Sequence, residues 1–342
     1  MKKLLNTLYV LTPESYLYHR NENICVKVGG EEKVSIPALT LENIVCFGVN
    51  TVSTPLIGFC GEKGIALTFL SGNGRFLGRV TGPVSGNVLL RTAQYASTGR
   101  RDFVDALVRD LLYAKLRNSK EVLLRAARGN LPENDAVRLK EGAQRLSALA
   151  RQLADCSDVD SMRGIEGAAA SEYFSCFDCM LRTQAHGFAL EGRSRRPPKN
   201  EVNAALSFTY TLLASEMRSA LESVGLDPAV GYLHALRPGR ASFALDMMEE
   251  LRAALCDRFV ISLFNLGQLS LSDFEVDGEA VYLDERGRKT LLTSWQKRKG
   301  ETIVHPFLQE KIPIGLIPYA QAMLFARVLR GDLDRYPPFV WR

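Results

Sequence analysis

Apolar residues change their spacing once along this chain. Up to residue 82 they fall in short alternating runs, at 5–12, 15–20, 24–29 and 33–38, separated by turn signals at Asn21-Glu22-Asn23 and Gly29-Gly30. Alternation places every second side chain on one face of a strand, so these runs predict a β-rich unit, read here as antiparallel. A short helix is expected over about 54–60 and a further strand over 64–71. The character shifts at Gly82-Pro83-Val84-Ser85-Gly86, and from Asn87 onward the spacing is helical. Phe103, Leu107, Leu111 and Ala114 recur every three to four residues, and 135–153 continues the pattern with charges on the opposite face. Further helices are predicted over 161–187, 201–224, 242–264 and 313–330, with a β-hairpin in 271–283 turning at Asp277-Gly278. The pattern predicts an α+β protein: a β-rich N-terminal domain (1–82), a linker (83–86), and a larger, mostly α-helical domain (87–342) carrying a small β-hairpin.

Composition narrows the class. With 342 residues, 46% hydrophobic and 24% charged, the chain can bury a substantial core, and disorder cannot dominate it. No run approaches the roughly 18 apolar residues that a membrane span needs, so no membrane association is expected. Met1-Lys2-Lys3 before an apolar run imitates a secretory leader, but Asn6 and Thr7 interrupt it and no small-residue cleavage site follows. The segment is therefore read as a first strand and the location as cytoplasmic. Seven scattered cysteines are an odd number, which argues for reduced thiols. Cys176 and Cys179 form a CxxC on an expected helix with no second pair to complete a zinc site, so packing is their expected role. Gly72-Asn73-Gly74 and Gly78 do not have dinucleotide-loop spacing, and there is no Walker A sequence. A net charge of +5 permits a nucleic-acid partner without requiring one.

The candidate chemistry lies in 231–252. His234 sits on a Pro/Gly-rich loop, and Asp246 and Glu249 follow three apart on an amphipathic helix, where they share a face. An imidazole beside two carboxylates can hold a divalent metal, although the spacing equally allows a core histidine with two solvated acids. Glu166 is a third acid, set among Gly164, Gly167, Ala168, Ala169 and Ala170, small residues that let helices approach closely and would place it in a crevice. Glu172 is expected to see solvent, with Tyr173 and Phe177 walling the Glu166 side. Arg193, Arg195, Arg196 and Lys199 form one basic segment; Arg286, Arg288, Lys289, Lys297, Arg298 and Lys299 form another, with Trp295 interleaved. Such clusters bind phosphates and an aromatic can stack on an unpaired base, though both could be solvated loops. Arg237 and Arg240 flank Pro238-Gly239 at the mouth of the proposed site, where an anionic substrate would enter. His19, His186 and His305 have no such setting and are read as structural.

Several motifs in order carry a resemblance. Glu166 stands in GxEGxAAxxYF; RPPxxxxNAxLSFxYxLL follows at 196–213 and GLDPxxGYLHxxRPGRxSxALDxMEELR at 225–252, with RGDLDxYPPFxWR at 330–342. In these the chain resembles the CRISPR-associated integrases, the large catalytic subunits of spacer-acquisition complexes, and in 47–87 and the tail it is similar to the subtype I-C branch. The resemblance implies a β-domain joined to a helical domain with a Mn²⁺ or Mg²⁺ site on Glu166, His234 and Glu249, and a supporting acid, Asp246, holding the metal water or a second ion. It implies an endonuclease or integrase that inserts foreign DNA fragments into a CRISPR array by 3′-hydroxyl attack at the repeat edge. A plain water-using DNA nuclease and a non-catalytic DNA-binding scaffold are the alternatives. The implied partners are double-stranded DNA, a second copy in a homodimer formed through the β-domain, a small ferredoxin-like protein bridging two dimers, and an accessory CRISPR-associated nuclease. Ser171 and Phe243 depart from the family pattern, the first removing a basic residue near Glu166. The apolar tail, Tyr336 to Trp341, is expected to dock on its own helical domain or on the small partner.

Overall fold

A computed structural model describes residues 5–80, 82, 88–182 and 187–341. The expected linker at 83–86 and His186 lie outside these described residues. The N-terminal part contains β1 (Asn6–Val10), β2 (Ser15–Arg20), β3 (Asn23–Val28), β4 (Glu31–Pro37), β5 (Leu41–Phe47), β6 (Asn50–Val52), α1 (Thr54–Lys63), β7 (Ala66–Leu70) and β8 (Phe76–Val80). They form two four-stranded sheets, ordered β1-β5-β7-β8 and β4-β3-β2-β6. Both are mixed rather than antiparallel, because β5 pairs in parallel with β1 and β7, and β6 with β2. Alternation reports which face each side chain meets and is blind to strand direction; here α1 makes the crossover from β5 to β7 that a parallel pair needs.

Strand β5 shows how the two parts are joined. Its Ile44 and Cys46 belong to the core between the sheets and α1, while Val45 and Phe47 point the other way into the core of the helical part. A strand buried on both faces reads as a continuous apolar run, as Ile44-Val45-Cys46-Phe47 does. The Phe47 ring stacks on Phe208, 5.6 Å between centroids. The Gly72-Asn73-Gly74 segment is the β7–β8 turn: Gly74 has φ of +80°, and a Cβ there would lie 2.7 Å from the Phe208 ring. Arg79 on β8 reaches Glu222 at 2.8 Å.

The helical part comprises α2 (Val88–Ser97), α3 (Arg101–Ala127), α4 (Glu133–Ala154), α5 (Val159–Ser175), α6 (Glu201–Val224), α7 (Ser242–Leu251), α8 (Arg258–Asn265), α9 (Glu285–Gly300) and α10 (Ile317–Leu329). Helix α3 runs through its middle against α4, α5 and α7. The hairpin β9 (Phe274–Asp277) and β10 (Ala280–Leu283) turns at Gly278 as expected. Helix α6 has the expected bounds, with Asn200 accepting from Asn203 N at its start and Gly225 in the left-handed conformation at its end.

Four expectations are corrected. The helix expected over 161–187 stops at Ser175, and the Asp178 carboxylate accepts from the Leu190 backbone N–H at 2.6 Å, a tertiary bond that replaces helical ones. Cys176 and Cys179 therefore lie just past the helix, both as free thiols. The helix expected over 242–264 widens into a π-helical turn at 252–257 between α7 and α8. The last helix begins at Ile317, because Lys311–Pro313 pairs with Thr302–Val304 as a short ribbon, β11 and β12. Helix α9 was hidden by its charge: Asp284 caps it and Leu291, Leu292 and Trp295 are its buried face. His305 is buried next to that ribbon, bonded to Gln321 at 3.0 Å. The tail docks on its own helical domain, where Tyr336 and Phe339 are buried and Trp341 N donates to Asn118 at 2.7 Å. Among the described residues no helix is long and apolar enough to cross a membrane.

Candidate active site

The loop carrying His234 is held from several sides. Gln94 on α2 exchanges two hydrogen bonds with the backbone of Asp227, at 2.8 and 2.9 Å. The Tyr232 ring packs edge-on against Phe103, Phe243 and Phe325, and its hydroxyl meets Ser97 at 2.7 Å. Arg163 on α5 donates to Leu233 O at 3.0 Å. Gly231 is required by close approach, since a Cβ there would lie 2.5 Å from both His234 O and the Ser242 Cβ.

Asp246, on the first turns of α7, is the centre of this loop. Its fully buried carboxylate accepts from the backbone N–H groups of Tyr232 (2.6 Å), Leu233 (3.0 Å) and His234 (2.9 Å). It also meets His234 Nδ1 at 2.6 Å. A carboxylate at that distance fixes the ring proton on Nδ1 and leaves Nε2 as the lone pair. Nε2 faces Glu249 Oε1 at 4.0 Å. The two oxygens of Asp246 are committed to four N–H groups, and through them it positions His234.

Glu249 lies one turn beyond Asp246 and is buried, whereas Glu166 on α5 is half-buried. The two meet through a residue that sequence reasoning missed. The ammonium of Lys115 on α3 bonds Glu166 Oε1 and stands 2.8 Å from Glu249 Oε2. Arg252, from the π-helical turn, approaches the other oxygen, Glu249 Oε1, at 3.0 Å. Burial alone would push the Glu249 carboxyl up, but the charges of Arg252 and Lys115 hold it down at about 2. Beside Lys115 a cavity of about 30 Å³ is lined by Ser119, Tyr173, Arg195, Tyr210, Arg252 and Asp257. Burial pushes the Asp257 carboxyl up to about 6, although it accepts from the Tyr210 hydroxyl at 2.6 Å.

Glu166, His234 and Glu249 thus come to one locus from three elements. As they stand, no three His, Cys, Asp or Glu side chains among the described residues form a ready metal-ligand set. The donor chemistry nevertheless fits a divalent ion: two carboxylates already share one cation, beside an imidazole whose outer nitrogen is fixed by a buried acid. Arg252 could have been found from its i+3 spacing to Glu249. Lys115 has no local signal, and neither does Arg163.

The basic residues divide. Arg193 is drawn inward, bonded to Asn203 (2.7 Å) and Ser207 (3.1 Å) and set over the Tyr210 ring. Lys299 is buried with Glu216 at 2.8 Å, and Trp295 is buried with its Nε1 donating to Glu216 at 3.0 Å. These three side chains are tied into the interior, Lys299 and Trp295 by Glu216 and Arg193 by Asn203 and Ser207. Arg286 is held by Asp273, Arg288 donates to Leu283 O at 2.8 Å, and Arg298 pairs with Glu301. Arg195, Arg196, Lys199, Lys289, Lys297 and Arg237 remain exposed and Arg240 half-exposed, with Arg195 alone of the first segment lining the cavity. Glu172 is corrected as well: it is clasped by Arg138 at 2.7 Å and Arg145 at 3.2 Å.

Known proteins resemble this chain in sequence and in fold. The family model described as CRISPR associated protein Cas1 matches residues 8–297. A relative from Chlorobaculum tepidum named CRISPR-associated endonuclease Cas1 1 is 48% identical, with all of both chains covered. A Rhodospirillum rubrum protein named as a CRISPR-associated exonuclease Cas4/endonuclease Cas1 fusion is 34% identical over 97% of this chain and 57% of its own. Among solved structures, a Cas6-RT-Cas1–Cas2 complex superposes with a TM-score of 0.83 at 24% identity, covering all of this chain and 36% of that one. A casposase bound to integration product superposes with a TM-score of 0.82 at 19% identity, covering 97% and 92% of the two chains.

Proposed function

The chain belongs to the family of CRISPR associated protein Cas1, and on that premise we propose that it is a metal-dependent DNA integrase of CRISPR adaptation. The reading is carried by one observation: Glu166 and Glu249, from different helices, share a cation beside a His234 whose Nδ1 is pinned by buried Asp246. The reaction is a transesterification. The 3′-hydroxyl oxygen of a foreign fragment bonds to phosphorus at the repeat edge, the bond from phosphorus to the displaced 3′-oxygen breaks, and the proton passes from the attacking to the leaving oxygen. One phosphodiester replaces another, so no nucleotide is consumed.

Glu166, Glu249 and His234 Nε2 are the donors that would hold Mn²⁺ or Mg²⁺, the imidazole favouring the softer Mn²⁺. When bound, such an ion supplies Lewis-acid polarisation of the scissile phosphate. The chain's own residues do the rest. Asp246 keeps the imidazole oriented with its proton on Nδ1. Arg252 sets one oxygen of Glu249 and keeps that carboxylate ionised. Arg237 and Arg240, on the same loop as His234, would receive the DNA backbone, with Arg195, which lines the cavity beside Lys115, as a further contact. Positive groups there would stabilise charge developing on the phosphate.

The partners follow from the relatives. Double-stranded DNA is the substrate, as fragment and as repeat. A small Cas2-type partner bridging two homodimers fits the fold's occurrence in a Cas1–Cas2 assembly, and an accessory Cas4-type nuclease fits the existence of a fused relative. Two attacks at separated repeat edges need two active sites, which a homodimer pair provides. A water-using nuclease is the second reading, favoured by the endonuclease names of the relatives.

The test is strand transfer of a short duplex into a repeat-containing plasmid with Mn²⁺. Wild type joins the fragment, and a 3′-deoxy fragment stays unjoined. His234→Ala lowers the yield by about a hundredfold or more, the scale on which a lost transition-state contact registers. Plasmid nicking that ignores the 3′ block supports the nuclease, and normal joining by His234→Ala removes the site altogether.

A further inference from the structure

Lys115 stands where the proposed centre needs a metal. Its side chain is 13% exposed, rooted on the central helix α3, and its ammonium contacts Glu166 Oε1 and Glu249 Oε2 at once. Arg252 does not compete for that position, because it approaches Glu249 through Oε1. Without Lys115, two carboxylates close enough to share one cation would face each other with Arg252 alone left to offset the buried Glu249. The ammonium is therefore a stabilising partner of the metal-free protein. A divalent ion must approach carboxylate oxygens to about 2.0–2.2 Å, and it cannot do so while an ammonium sits 2.8 Å from one of them.

We infer that Lys115 is a resident counter-cation of this centre that must vacate the space between Glu166 and Glu249 before a divalent ion can load, and that it thereby sets the metal affinity. The inference rests on the metal-site reading above. The structure also supplies a destination. The adjoining cavity of about 30 Å³ is lined by Lys115 itself together with Ser119, Tyr173, Tyr210 and Asp257, and also by Arg195 and Arg252. That exceeds the roughly 10–15 Å³ needed to hold one water, so an ammonium head can enter it. Its walls carry a buried carboxylate, Asp257, and the hydroxyl of buried Tyr173. An ammonium leaving the carboxylate pair finds one anionic neighbour there, Asp257, which it shares with the Arg252 guanidinium on the same wall.

The experiment is Mn²⁺ titration of the EDTA-stripped full chain, followed by calorimetry and by the electron paramagnetic resonance of free Mn²⁺, alongside melting curves. Lys115→Met binds Mn²⁺ at least about ten-fold tighter than wild type, the scale of one displaced ion pair. Its metal-free form melts lower, and Mn²⁺ raises that melting point by more than it raises the wild type's. Lys115→Arg keeps the charge and binds no tighter than wild type, which separates the cation from the space it fills. Asp257→Asn weakens Mn²⁺ binding in the wild-type background and has no such effect combined with Lys115→Met, because only a displaced ammonium uses that seat. Equal or weaker Mn²⁺ binding by Lys115→Met overturns the role of Lys115, provided Glu249→Gln abolishes the wild-type titration. If Glu249→Gln binds Mn²⁺ as wild type does, the metal site itself is wrong and Lys115 falls with it.

Discussion

Glu250 gives the sharpest quantitative test of how the tail is held. The carboxylate is fully buried beside Glu249 and accepts from the Tyr336 hydroxyl (2.7 Å), Gln321 Nε2 (2.9 Å) and the Phe339 backbone N–H (2.6 Å). Burial pushes its carboxyl from 4.5 up to about 7, outweighing those three donors. The folded state therefore binds this proton more tightly than the unfolded chain does. Its contribution to stability is complete below about 4.5 and is lost as the pH rises through about 7. At 1.36 kcal/mol per pH unit the whole effect is about 3 kcal/mol, most of it between about pH 5 and 8. Glu250→Gln keeps the shape and removes the proton equilibrium. Urea denaturation of the metal-free protein should show the wild type losing about 2 to 3 kcal/mol more than the variant across that range. Asp257, also raised, to about 6, acts in the same direction in both proteins and cancels in the difference. Parallel pH profiles for the two proteins would refute the reasoning.

Two other predictions concern the loop and the basic surface. Asp246→Asn leaves an amide nitrogen where backbone N–H groups need an acceptor, so it should weaken Mn²⁺ binding by about 10 to 100-fold and cost about 1–3 kcal/mol per N–H left unpaired; unchanged calorimetric affinity would remove Asp246 as the positioning residue. Replacing Arg195, Arg196 and Lys199 by alanine should flatten the dependence of log DNA affinity on log salt by roughly one unit per lost contact. Arg193→Ala and Lys299→Ala should instead lower the melting temperature and leave that slope alone, since both cations are tied into the interior.

Periodicity alone determined much of the architecture. The switch from alternating to helical spacing near residue 82 is a property of local sequence, as are the bounds of helix α6 and the Asp277-Gly278 hairpin. Such features need only neighbours within a few residues, which the sequence displays directly. The His234 loop and the Asp246/Glu249 face were legible for the same reason, and Glu166 joined them through motif resemblance. Tertiary structure decided what spacing cannot carry: strand direction in the two sheets, and the division of the arginines and lysines into solvent-facing and buried. It also separated Asp246, wholly occupied by four N–H groups, from Glu249, which faces the shared cation. Lys115 is the plainest case. It lies 51 residues before Glu166 and 134 before Glu249, and on its own helix it is one cation among several. Only the packing of α3 against α5 and α7 brings its ammonium to both carboxylates, because electrostatic pairing in a folded interior depends on distance in space and not on separation along the chain.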